Sequence, residues 1–208
     1  MSSSTEERLM IEGPAGVLEL LVTRVNNPRA LAVVCHPNPA QGGTMTNKVV
    51  HTLMRAARDQ HACVVRFNFR GVGKSAGQQT GGLGEIDDCL AVVEWAQNEF
   101  DLPLWLMGFS FGGYVAAAAA GLMTTAPARL LLVAPSVERH PFAELMPLAC
   151  PAVVMMGEAD EVVAPSAVFG LLEGQPGVEV KRFAETGHFF HGRLVELKES
   201  VENLLNLG

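Results

Sequence analysis

One five-residue stretch constrains this chain more than any other: Gly108-Phe109-Ser110-Phe111-Gly112. It lies between Pro103-Leu104-Trp105-Leu106-Met107, which reads as a short buried strand, and Tyr114-Val115 followed by five alanines from Ala116, which reads as a helix packed closely on a sheet. A serine on a sharp strand-to-helix turn needs small residues two before and two after it, because side chains there collide as the backbone folds back. Gly108 and Gly112 meet that need. With 21 glycines in 208 residues the pattern alone does not decide. The flanks do, and they make Ser110 a candidate nucleophile rather than a turn serine.

Size and charge bound what surrounds this turn. A 208-residue chain that is 49% hydrophobic can bury one large core, so a single domain over residues 1–208 is expected. The net charge of -7 argues against a nucleic-acid partner, whose phosphates require a basic surface. Cys35, Cys63, Cys89 and Cys150 lack the paired spacing of a zinc or redox site, so reduced, buried thiols are expected. No metal and no cofactor are called for. The polar stretch Met1 to Glu7 has no apolar segment behind it, so it is not a secretory signal and a cytoplasmic location is expected. From Leu102 to Ala128 there is no charged residue, a length that could span a bilayer. Gly108, Ser110, Gly112 and Gly113 interrupt its middle, and a central strand with its following helix loses charge equally well, so no membrane partner is expected.

The remaining elements follow from their patterns. Leu9–Glu12 and Val17–Val25, joined by Gly13-Pro14-Ala15-Gly16, read as an antiparallel pair at a sheet edge. Ala30–Cys35, Ala62–Phe67, Arg129–Ala134, Ala152–Gly157 and Val178–Phe183 read as further strands. A helix is expected up to about Asp59, with Val49, Val50, Leu53, Met54 and Ala57 on one face. Others are expected over Glu85–Phe100 and up to about Leu205. Glu85, Asp87 and Asp88 in a first turn are expected to be capping or solvated charges. Gly73-Lys74-Ser75 suggests a phosphate-binding loop, but Asn68 stands where its first glycine belongs and no helix follows at once. The stretch between Pro135 and Pro151 is too short for a lid.

In combination, His36-Pro37-x-Pro39 with Gly42-Gly43-Thr44, Phe67-Asn68-Phe69-Arg70-Gly71, Gly108-Phe109-Ser110-Phe111-Gly112, Asp160 and His188-Phe189-Phe190-His191-Gly192 resembles the small, lidless bacterial α/β-hydrolases of the serine type. That resemblance implies an α/β, mostly parallel, doubly wound sheet of seven to eight strands flanked by helices. It implies a triad in the chain order Ser, Asp or Glu, His. Among Glu158, Asp160 and Glu161, the family's Gly-x-x-Asp-x-x-Val pattern selects Asp160 as the acid. Of the two histidines beyond the last strand, His188 follows the glycine as the family's base does, leaving His191 at a rim or helix start. His36 is expected to fix its loop. Pro37 has no N-H, so the oxyanion donors fall to the backbone of Asn38 and Phe111. Asn38 stands where the family pattern has histidine, a change that bears on the pocket wall and leaves a backbone donor in place. The expected apolar wall includes Phe109 and Phe189.

Such a chain is expected to act on a small-molecule ester, most simply as a carboxylesterase. A thioesterase or an aminopeptidase-like enzyme would use the same groups. A hydrolase-fold binding protein without catalysis and a nucleotide-binding protein built on Lys74 are the competing classes. The sequence leaves the oligomeric state open.

Overall fold

A computed structural model describes residues 4–206; the first three residues of the polar N-terminal stretch lie outside that range. The six apolar runs become β3 (Ala30–Cys35), β4 (Ala62–Asn68), β5 (Leu104–Phe109), β6 (Arg129–Val133), β7 (Ala152–Gly157) and β8 (Val178–Phe183). They pair in parallel in the order β4-β3-β5-β6-β7-β8. The edge pair β1 (Ser4–Ile11) and β2 (Leu18–Val25) adds antiparallel strands beyond β4, which completes an eight-stranded sheet. β1 begins five residues before the first apolar residue expected of it. As an outermost strand it is held by backbone pairing to β2, with Ser4 opposite Val25, so its exposed side chains carry no apolar signal.

Among the described residues five helices cover the sheet: α1 (Lys48–Asp59), α2 (Leu83–Phe100), α3 (Phe111–Leu122), α4 (Pro165–Leu172) and α5 (Leu194–Asn206). The crossover from β3 to β4 runs one way along the sheet, and that from β4 to β5 runs back past β3. Right-handed crossovers therefore put α1 and α2 on opposite faces. Accordingly α1 packs with α5, and α2 with α3. The alanines of α3 are buried, which lets its backbone lie close to β5 and β6. The charge-free stretch from Leu102 thus divides into β5 and α3, and among the described residues no helix is long and apolar enough to cross a membrane. Between β6 and β7 there is one short 3-10 turn, Phe142–Leu145, and no lid.

Reversal of the strand order between β3 and β5 has a functional consequence. The crevice beyond the carboxyl ends of β3 and β5 is where an open α/β sheet binds its ligands. β3 ends at Cys35, just before His36-Pro37-Asn38, and β5 ends at Phe109, just before Ser110.

Two expectations need correction. Asp88 is neither a cap nor solvated: it is buried and accepts from the Arg70 backbone N-H at 2.9 Å and from its guanidinium at 2.7 Å. An arginine on the loop after β4 reaches the second turn of α2, and a buried carboxylate is the partner its charge requires. Glu85 is the actual cap, accepting from the N-H groups of Thr80 and Gly82. Cys150 is only partly buried, whereas Cys35, Cys63 and Cys89 are buried; all four are free, with the sulfurs of Cys35 and Cys89 3.5 Å apart.

Candidate active site

The strand-to-helix turn places Ser110 at φ 56° and ψ -117°, a conformation that costs a non-glycine residue about 1–3 kcal/mol. Its backbone is held on both sides. The Ser110 N-H donates to Val133 O at 2.9 Å, and its carbonyl accepts from Gly113 at 2.9 Å and Ser136 at 3.2 Å. A Cβ on Gly108 would strike the Gly112 carbonyl, and one on Gly112 would strike the carbonyls of Cys35 and His36. The same contact brings the start of α3 against the end of β3.

Asp160 lies in the loop after β7. Its Oδ1 accepts from the N-H groups of Val162 and Val163, both at 2.8 Å, which fixes the carboxylate and leaves Oδ2 for His188 Nδ1 at 2.7 Å. Bonding to a carboxylate keeps the proton on Nδ1, so the Nε2 lone pair faces Ser110 Oγ, 3.0 Å away. All three residues are buried. The neighbouring acids do other work: Glu161 accepts the His188 backbone N-H at 3.2 Å, and exposed Glu158 lies 3.6 Å from Arg182. His191 is exposed and stacks on Phe189, with ring centroids 5.9 Å apart.

His36 is buried at the end of β3. Its Nε2 accepts the Phe69 N-H at 3.1 Å, which requires the proton on Nδ1, and Nδ1 donates to Pro37 O at 2.7 Å. Burial pushes its pKa down to about 4, only partly offset by the Pro37 carbonyl and the charge of Glu85. A neutral imidazole thus ties the Asn38 loop to the end of β4. Asn38 caps the 3-10 turn Pro39–Gln41 through its side chain, and its carbonyl accepts from Gln41 and Gly43. Its N-H is given to no protein acceptor among the described residues. The N-H of Phe111 is the first of α3 and has no acceptor within the helix. Both donors belong to the segments that Gly112 holds together.

Phe109 does not form the expected wall. It is fully buried, with its ring 5.0 Å from that of His188 and 6.1 Å from that of Phe189, because the last residue of a central strand points into the layer below the site. Phe189, 40% exposed, has its edge against His188 at 5.0 Å and does present an apolar surface. The opposite flank holds residues the sequence did not single out. Ser136 Oγ lies 2.8 Å from His140 Nδ1, and the His140 ring stacks on Tyr114 at 4.7 Å and lies 5.1 Å from Phe111. Ser136 and His140 sit in the irregular loop after β6, so no periodicity marked them.

Lys74 and Ser75 are no phosphate cradle. The Lys74 N-H donates to Glu19 at 2.8 Å, and Ser75 Oγ bridges the Asn68 carbonyl and the Glu19 N-H, so the loop closes over a carboxylate that would repel a phosphate. Among the described residues no group of histidine, cysteine and acidic side chains is arranged to hold a metal.

Residues 33–146 match the family described as the alpha/beta hydrolase fold, and the chain belongs to that family. An alpha-beta serine hydrolase homologue from Coxiella burnetii is 41% identical and superposes with a TM-score of 0.91 over 96% of this chain and 97% of its own. XC6422 from Xanthomonas campestris, described as a serine hydrolase without lid, is 40% identical, with a TM-score of 0.87 over 95% of this chain and 92% of its own. An uncharacterized protein of Rickettsia prowazekii is 29% identical over 95% of this chain and 88% of its own length.

Proposed function

We propose that the chain is a serine esterase that cleaves a small carboxylic ester through an acyl-enzyme. The observation that carries this reading is the unbroken relay from Ser110 Oγ to His188 Nε2 at 3.0 Å and from His188 Nδ1 to Asp160 Oδ2 at 2.7 Å. His188 takes the Ser110 proton as Oγ attacks the ester carbonyl, and Asp160 stabilises the imidazolium that forms. The carbonyl oxygen becomes an oxyanion held by the N-H groups of Asn38 and Phe111; losing one such donor typically raises the barrier by about 2.7–4 kcal/mol. His188 then gives its proton to the leaving alcohol oxygen. A water, deprotonated by the same histidine, releases the acid and restores Ser110.

The open site supports a small substrate, since no lid supplies the apolar cover a long acyl chain needs. Turnover of p-nitrophenyl acetate and butyrate tests the reading. Ser110→Ala should lower kcat by about four to six orders of magnitude, and Asp160→Asn by about four. Hydrolysis at the wild-type rate by Ser110→Ala would remove Ser110 from the mechanism. Matched thioesters and aminoacyl anilides compare the two related activities, and the account expects the ester to have the highest kcat/KM.

A further inference from the structure

Phe189 marks the edge of a cleft of about 300 Å³ whose far wall is Thr44, Thr46 and Lys48, with His191 beside Phe189 on the near wall. No carboxylate lines it. Thr46 and Lys48 also line a second groove, of about 560 Å³, between α1 and α5, which His51, Arg55 and Lys198 line as well. The acids of that groove are Glu199 and Glu202. Glu202 is paired with Lys198, which also holds Asp59 at 2.9 Å. Lys48 and Arg55 have no carboxylate partner among the described residues. Beside the groove, buried Arg66 bonds Glu6 and the Met45 carbonyl and leaves its Nε without a partner. Its charge, with those of Arg55 and Arg58, adds to burial in holding His51 below the usual histidine range. In a chain of net charge -7, Lys48 is thus a cation without a carboxylate partner on the wall of a cleft that no carboxylate lines, and Phe189 on the other wall has its ring 5.0 Å from that of His188.

The cleft's positive charge is that of Lys48 and not of the α1 terminus, whose first amides are occupied by the Asn47 side chain. Thr44 and Thr46 hydroxyls lie 2.9 Å apart, so one donates to the other and one hydroxyl proton remains for a ligand. Since His188 must protonate the leaving oxygen, the leaving group departs on the His188 side, where Phe189 borders this cleft. We propose that the cleft receives the alcohol portion of the substrate and that this alcohol carries an oxyanion, a carboxylate or a phosphate, bound by Lys48 and the threonine hydroxyls. The proposal rests on the reading of Ser110 as nucleophile.

Four esters separate the possibilities: the acetyl esters of 4-hydroxybenzoate, of 4-hydroxyphenyl phosphate and of neutral 4-hydroxybenzamide, and p-nitrophenyl hemisuccinate, which carries its charge on the acyl side. Wild type should favour an anionic-alcohol ester over the benzamide, the better of the first two identifying carboxylate or phosphate. In Lys48→Gln the kcat/KM ratio of anionic to neutral ester should fall about fivefold, chiefly through KM, and in Lys48→Glu about twentyfold. Lys181→Gln, a control on β8 that lines neither the cleft nor the groove, should keep the wild-type ratio. An unchanged ratio in both Lys48 variants, or a preference for the hemisuccinate, would overturn the proposal. Failure to hydrolyse any of the four esters would instead count against the esterase reading. The cleft is then read by calorimetry of free 4-hydroxybenzoate and 4-hydroxyphenyl phosphate on Ser110→Ala protein. Binding of either that Lys48→Glu weakens supports it, and absence of binding by both overturns it.

Discussion

Ser110 and His36 show how single residues can be placed by contrary demands. Ser110 keeps a strained backbone because two glycines remove the side chains that would collide and hydrogen bonds to Val133, Gly113 and Ser136 hold the peptide. That requirement is local in sequence, so it could be read without a structure. Asp160 and His188 needed the family pattern to separate them from Glu158, Glu161 and His191, because a loop carboxylate beside two others carries no periodicity. His140 and Ser136 carried no signal. His36 gives a prediction at this scale. Its folded pKa of about 4 lies below the ordinary value of 6.5, so the unfolded chain binds the proton more readily. Its contribution to stability is therefore complete above about pH 6.5 and is lost as pH falls from there to about 4, a change of roughly 3 kcal/mol. Urea unfolding of wild type and His36→Asn at pH 7 and pH 4.5 measures it: the acid-induced loss should be smaller in the variant by about 2–3 kcal/mol. Equal losses would show that His36 does not titrate in this window.

Among the elements, buried strands were legible and the exposed margins were not. β3 to β7 are apolar runs because helices cover both faces. β1 extends to Ser4 through backbone pairing that leaves no mark on side-chain pattern. α4 was missed because Pro165–Leu172 is short and almost uniformly apolar, with no polar face to set a helical period. The Arg70–Asp88 pair joins the loop after β4 to α2, and its energetics are asymmetric: the intact pair adds little, but removal of one partner leaves an uncompensated buried charge. Asp88→Ala should lose about 3–5 kcal/mol in chemical denaturation. Replacing both residues, Arg70→Met with Asp88→Leu, should recover part of that loss. A single variant as stable as wild type would show the pair to be solvated.

At the scale of the molecule, strand order does what no single motif could. Reversal of the strand order between β3 and β5 brings the ends of these two parallel strands together, and with them the Asn38 loop and Ser110. The later strands β7 and β8 deliver Asp160 and His188 from the same edge. Because the buried runs and connection lengths announce such a sheet, the architecture was readable; the cationic cleft was not, since its walls come from segments more than a hundred residues apart. The central claim is that Ser110 is a nucleophile activated by this assembled relay. Intact mass and peptide mapping after exposure to a fluorophosphonate test it most directly: the account predicts one adduct, on the peptide containing Ser110, absent from Ser110→Ala and strongly slowed in His188→Ala. A folded protein that takes up no label, or takes it up at another residue, would contradict it.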